Sequence, residues 1–251
     1  MTAWSPNLYT TLKSMNRVLK LAVLCIWICG LVVLPGARSA ETPKPVYENH
    51  FESAALDETP ADFLVIQGPL MVKAGDGNRW LEVPGTPVDS YGFLFGPTES
   101  AGFSVTARIR GTGKGRRFPT FSVGLNGYSG FKLQASPAKG LIELFHGDAL
   151  VSSAPLKWTS DTWTHLRLQV REAGAGKWKV EGRLWKEGDP EPAEWVVSHE
   201  LSEEPRAGRA SASGSPYSGT PILFDDLVVA PISGANASLK KPSESQDKPA
   251  R

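Results

Sequence analysis

Between Val46 and Ile232 the chain repeats one plan: five to eight residues of alternating apolar and polar character, then Gly, Pro, Ser or Asp. Phe103–Arg110, Thr120–Leu125, Gly130–Ala135, Leu141–His146, Thr164–Arg171 and Trp178–Trp185 are the clearest runs. Period-two alternation marks strands that bury one face and wet the other. No window keeps a helical period for more than about two turns, and Glu200–Arg206 offers one brief turn of helix at most. Many short strands at even spacing predict a single all-β sandwich of about a dozen strands. No internal repeat is visible.

The flanks break this pattern. Residues 1–40 contain no Asp or Glu and carry Lys13, Arg17, Lys20 and Arg38. The apolar run Leu21–Leu34 falls short of the roughly 20 residues that span a bilayer. Pro35-Gly36 ends the run and Ala37-Arg38-Ser39 supplies small residues. Residues 1–40 therefore read as a secretory signal peptide, cleaved after Ser39 or Ala40. Met15 opens a more typical signal than Met1 does. Neither Cys25 nor Cys29 follows the small residue that a lipobox needs. Residues 41–45 read as a linker, 46–232 as the domain, and the polar stretch 233–251 as a disordered tail. No later stretch is a candidate membrane span. The expected location is the periplasm or the extracellular medium.

Loss of the signal changes composition as well as place. Cys25 and Cys29 leave with it, so the mature domain has neither a disulfide nor a thiolate metal site. Stability must come from the core, and a domain of about 190 residues buries around 70% of its unfolded surface. The net charge of +1 becomes −3 without the four basic residues, with 23 basic against 26 acidic groups remaining. That balance argues against polyanion partners, nucleic acid included.

Four segments resemble one family. Asp161-Thr-Trp-Thr-His-Leu-Arg-Leu-Gln-Val170 is similar to the W-x-x-L-R-L-x-V strand of concanavalin A-like, laminin-G-like jelly rolls. Trp178–Trp195 resembles the next hairpin of exported bacterial members, with its two tryptophans about a Gly-x-x-Glu-Pro turn. Phe224-Asp-Asp-Leu-Val-Val229 resembles their last strand, and Tyr47–Glu52 their first, which pairs with the last. The resemblance implies a single antiparallel β-sandwich of jelly-roll type across almost the whole mature domain. The family holds sugar binders, adhesion modules and a few hydrolases, so the fold leaves function open.

Catalytic patterns are weak. Glu187-Gly188-Asp189-Pro190-Glu191 matches the E-x-D-x-E pattern of retaining glucanases on this fold. That chemistry needs two carboxylates ~5–5.5 Å apart across the scissile bond. Gly188 and Pro190 make a turn instead, and the stretch reads as a solvated acidic β-turn. The Gln-x-His and Tyr-x-Lys-x-Gly-x-Tyr patterns of alginate lyases are missing. His50, His146, His165 and His199 have no zinc spacing, and Ser129 lacks a G-x-S-x-G frame.

Binding candidates are better supplied. Sugars stack their C–H faces on aromatic rings and need amide, hydroxyl or charged partners for their hydroxyls. Asn126-Gly-Tyr-Ser-Gly130 is a glycine-flanked turn that offers Asn126 and Tyr128. Trp158, Trp163, Trp185, Trp195 and Tyr217 are further rings, although Trp163 and Trp185 fall in the resembled core pattern. Arg116 and Arg117, with Arg108, Arg110 and Lys114, surround a glycine-rich loop able to meet an anion or to serve only as a solvated hairpin tip. Glu48, Glu52, Asp225 and Asp226 would meet if the first and last strands pair, and a structural calcium would bridge them. Alternation equally allows them opposite faces.

The expected function is that of an exported, non-catalytic module that binds carbohydrate or interacts at the cell envelope. Its partner would be a polysaccharide or glycan, or an envelope protein. The alternatives are a glycan-active hydrolase or lyase with an unrecognised site on the concave face, and a protein-binding adhesion or scaffold domain.

Overall fold

The computed structural model describes residues 44–86, 90–174 and 176–232. The expected signal peptide and tail lie outside the described residues. The strands run in order β1 (Tyr47–Asn49), β2 (Leu64–Gln67), β3 (Met71–Gly75), β4 (Asn78–Val83) and β5 (Tyr91–Glu99). Then come β6 (Phe103–Gly111), β7 (Thr120–Leu125), β8 (Phe131–Ser136), β9 (Leu141–His146) and β10 (Ala149–Pro155). The last are β11 (Thr162–Gly174), β12 (Lys177–Lys186), β13 (Val197–Leu201), β14 (Gly208–Ser215) and β15 (Ile222–Pro231). The described residues contain no helix, and so none long and apolar enough to cross a membrane. Glu200–Arg206, expected as at most a turn of helix, begins as strand: Glu200 and Leu201 pair with Lys179 and Trp178 on β12, which offered them an open sheet edge.

Two antiparallel sheets face each other. The first is ordered β13-β12-β11-β6-β15-β4-β3, with β1 also on β15. The second is ordered β10-β9-β8-β7-β14-β5-β2. Strand β15 changes neighbours midway. Ile222–Phe224 pair with β4, while Leu227–Val229 pair with β1. The register against β6 shifts between Asp225 and Val228, and Asp226 takes a left-handed φ of 49°. A bulge that re-aims side chains thus sits where the first and last strands meet.

The sequence alternation becomes the core. Val105, Ala107 and Ile109 of β6, with Leu166, Leu168 and Val170 of β11, point inward and are fully covered. Phe121, Val123, Leu133, Ile142 and Leu144 meet them from the second sheet. Under β5 the core is aromatic: Phe93 stacks on Phe63 at 5.0 Å and meets Phe224 edge-on at 5.7 Å. Gly182 lets the sheets close up, because a Cβ there would lie 2.5 Å from Leu133 Cδ1.

Phe93 contacts Phe95 on its own strand and rings from two other segments, Phe63 and Phe224, so its loss cannot be filled by a local shift. Phe93→Ala should cost about 3–5 kcal/mol, the range for emptied aromatic core sites. Urea denaturation checks this through the midpoint at unchanged slope.

Candidate functional site

The outward face of the first sheet is a charge network centred on Arg108. This residue lies outward on β6 between Ala107 and Ile109, opposite Asp225 on β15 and His165 on β11. Its Nη2 donates to Asp225, which is only 1% exposed, and its Nη1 donates to Glu187 at 2.7 Å. Nε lies 2.9 Å from Asp226 Oδ2 but out of line for a hydrogen bond, so that contact is coulombic. The guanidinium also covers the Trp163 ring at 4.6 Å. Burial works against the Arg108 charge, but Glu187, Asp225 and Asp226 outweigh it and hold the guanidinium above its ordinary range. Burial likewise pushes the Asp225 carboxyl up, against the pull of Asn78 and Arg108.

Two of the four expected calcium ligands, Asp225 and Asp226, therefore meet an arginine. Asp226 also pairs with His50 at 2.7 Å, and Asn78 donates to Asp225 at 2.9 Å. Glu48 is exposed on β1, and Glu52 accepts the Arg79 backbone N–H at 3.2 Å. The four acids do not converge, and among the described residues no group of three or more His, Cys, Asp or Glu side chains is placed to hold a metal.

The 187–196 connection lies across this face as a strap. Gly188 turns it with φ 89°. Glu187 holds Arg108, and Glu191 holds Arg167 at 3.0 Å and also Arg183. Arg183 donates to the carbonyls of Pro192 and Ala193 and stacks on Trp195 at 4.0 Å. The acidic turn expected here is present and exposed, and its Glu187 and Glu191 are also paired with arginines. Trp163 and Trp185, expected in the core, point outward. Strand parity decides this, since Thr164, Leu166 and Leu184 take the inward positions. Trp185 stacks on His165 at 5.0 Å, and burial pushes that imidazole down, so it is neutral at pH 7.

Further along the face, Glu181 receives Gln169 at 2.7 Å, Arg171 at 2.8 Å and Lys179 at 3.1 Å. Burial raises this carboxyl, but the three donors outweigh it and hold it below the ordinary 4.5.

The second sheet's outward face is built differently. Register aligns one row across six strands: Gly92, Ser213, Ser122, Gln134, Glu143 and Ser153. Ser122 and Ser213 share a hydrogen bond of 2.6 Å. Ser136 donates to Glu143, as does Lys139 at 2.9 Å. These donors outweigh burial and hold Glu143 below its ordinary range. The neighbouring row carries Leu94, Ser211, Gly124, Lys132 and Phe145, with Lys132 Nζ 4.7 Å over the Phe145 ring. The floor near β14 is thus mostly glycine and serine.

Tyr128 reaches onto that floor. A Cβ at Gly92 would lie 2.6 Å from its Cε2 and 2.7 Å from its hydroxyl. The residue is still 43% exposed, and burial of the rest raises the phenol above 10, so it is a neutral donor at pH 7. Asn126, expected beside it as a ligand contact, is used by the fold. Its φ is 64°, its amide nitrogen donates to the Glu99 and Ser100 carbonyls, and its Oδ1 is buried.

The remaining candidates lie apart from Tyr128. Arg116 and Arg117 are exposed on a turn closed by the Lys114–Arg117 backbone pair. Tyr217 is exposed on the β14–β15 connection. Trp158 packs on Phe118 and Phe121, and lines a cleft of about 380 Å³ with Lys157, Lys186 and Asp189.

Neither a protein-family model nor a curated protein matches the chain. Solved structures do. The carbohydrate recognition domain of Emp46p in its metal-free form aligns with TM-score 0.52 at 9% identity, over 75% of this chain and 97% of that one. A structure from work on endo-acting O-glycanases of the human gut microbiota that initiate mucin breakdown aligns at 0.52 and 11%, over 75% and 100%. A Bacillus subtilis protein of unknown function with a galectin-like fold aligns at 0.50 and 11%, over 76% and 97%. The fold is that of the concanavalin A-like lectins and glucanases. At such identities the likeness is one of fold, and this jelly roll's site rests on its own residues.

Two outcomes follow for the charged face. Arg108→Met strands a buried carboxylate and should cost about 3–5 kcal/mol, read by chemical denaturation. Glu181 titrates lower in the folded state than the ordinary 4.5, so its stabilisation is full above 4.5 and is lost as pH falls from there through the lower folded-state value. Glu181→Gln should therefore be less stable than the parent by about 1.5–3 kcal/mol at pH 7, and the gap should close in melts taken at progressively lower pH.

Proposed function

We propose that this chain is an exported, non-catalytic carbohydrate-binding domain that holds a glycan on the outward face of the second sheet. What carries the reading is the Tyr128 ring laid across Gly92, at the end of a row of serine, glutamine and glutamate side chains. A half-exposed ring accepts the apolar C–H face of a sugar, while the partly exposed Ser213 and Gln134 offer partners for its hydroxyls. Small side chains leave room for a pyranose to approach the strands. The Emp46p carbohydrate recognition domain supports the reading by fold alone.

The non-catalytic part rests on the carboxylates. Glycosidases of the usual kind place two acids across the bond they cut. In the row, Glu143 is the single acid, and Ser136 and Lys139 already bind it. On the other sheet Glu187 and Glu191 are tied to arginines. Export rests on the leader pattern of residues 1–40.

A protein-binding reading has one observation of its own. Strand β2 is a sheet edge whose Leu64 and Ile66 are about half exposed, and Met71 on β3, an edge of the other sheet, is exposed as well. An apolar edge with unpaired backbone groups suits an added strand from a partner.

Residues 41–232 should bind one or more members of a polysaccharide and glycan array without releasing reducing ends. Tyr128→Ala should weaken that binding at least tenfold. Gly92→Ala should do nearly as much by displacing the ring, since Gly92 has no left-handed φ to strain. Calorimetry on folded variants checks both. Release of reducing ends would overturn the non-catalytic reading, and unaltered binding by Tyr128→Ala would remove the glycan from this face.

A further inference from the structure

The cleft of about 380 Å³ lies at one end of the sandwich, between the start of β11, the end of β12, the β10–β11 connection and the strap. Its strands, β11 and β12, belong to the first sheet, whereas the Tyr128 floor is borne by β5, β14 and β7 of the second. Its size falls within the range of small-ligand sites, roughly 300–1,000 Å³.

Three features set it apart from the nearby surface. The first is charge. Around it Arg108, Arg110, Arg167 and Arg183 are each matched to a carboxylate. Lys157, Lys186 and Asp189, which line the cleft itself, have no ion-pair partner among the described residues. The second is mixed chemistry: Trp158 and Trp185 bring apolar rings, and Thr159 and Thr162 bring hydroxyls. The third is a fixed wall. Pro190 and Pro192 face the cleft from a strap whose two glutamates are clamped by three arginines. A wall held this way loses little freedom when a ligand arrives.

We propose that this cleft is a second binding site, for an acidic sugar unit carrying a carboxylate, such as a uronic acid. Lys157 and Lys186 meet the carboxylate. Asp189 accepts from ring hydroxyls, the threonines complete the hydrogen bonding, and the tryptophans take the C–H faces. A bare anion fits less well, because Asp189 repels it and the rings give it nothing. An uncharged sugar leaves both ammonium groups unmatched. The site does not depend on the sheet-face reading, and either can fail alone.

The test uses D-glucuronate and D-galacturonate, with D-glucose, D-galactose and acetate as controls. Titrations of residues 41–232 are followed by calorimetry and tryptophan fluorescence. The uronates should bind at least tenfold tighter than the neutral sugars and acetate, and should weaken as salt rises. Lys157→Gln/Lys186→Gln should lose at least tenfold in uronate affinity at an unchanged melting temperature, both lysines being exposed. Tyr128→Ala should bind uronates like the parent. Equal binding of acetate would reduce the cleft to a simple anion trap and overturn the proposal. Equal binding of neutral sugars, or no effect of the double lysine variant, would overturn it too. Loss of uronate binding in Tyr128→Ala would move the acidic sugar to the sheet face.

Discussion

One guanidinium ties together segments of the chain that lie far apart in sequence. Arg108 stands on β6, at the middle of the first sheet, and faces a carboxylate on β15 that is almost sealed from water. A carboxylate so placed needs a close cation and further donors, because an uncompensated charge there is costly. Arg108 and Asn78 supply them. The same side chain then fixes Asp226 at the bulge and, through it, His50 just after β1. Its remaining arm reaches Glu187 and seats the strap. Closure of the first and last strands and the course of the β12–β13 connection therefore share a single electrostatic anchor.

That anchor also explains why the two outward faces differ. The charges around Arg108, the strap and Glu181 are mutually satisfied, and a sugar laid there would have to separate ion pairs before it gained any hydrogen bond. The second sheet carries small hydroxyl side chains near β14 and one ring folded down from a turn. Its one buried acid, Glu143, is held by neighbours in its own strand pair. Paired charges are concentrated on one face, and small side chains with one half-exposed ring on the other.

Much of the fold was legible because it is periodic. Val105, Ala107 and Ile109, or Leu166, Leu168 and Val170, declare their inward side by parity alone. The same parity points Trp163 and Trp185 outward, but bulky aromatic character argued for the core, and the cation and imidazole that cover them lie on other strands. Tyr128 was legible because glycines on both sides mark a turn. The row from Gly92 to Ser153 was not, since it exists only after six strands, drawn from residues 91 to 215, adopt one register. Asn126 looked like a ligand residue for the reason that makes it structural: a short amide tolerates positive φ and can bond backbone carbonyls. Arg108 and Asp225 stand 117 positions apart, and no local pattern reports such a pair.

The Glu187–Glu191 stretch shows how little a spacing pattern says without the backbone beneath it. On an extended strand, Glu187, Asp189 and Glu191 would share one face, with neighbours roughly 6.5–7 Å apart along the chain. Gly188, at a φ open to glycine, and Pro190, without an N–H for the ladder, take the chain off that line. The three acids then diverge. Glu187 goes to Arg108, Glu191 goes to Arg167 and Arg183, and Asp189 is left at the cleft. Two acids that could have faced each other across a substrate are instead bound to guanidinium groups, and their function is to hold a loop in place. Pro190, which takes the chain away from a hydrolase geometry, also forms part of the wall of a pocket.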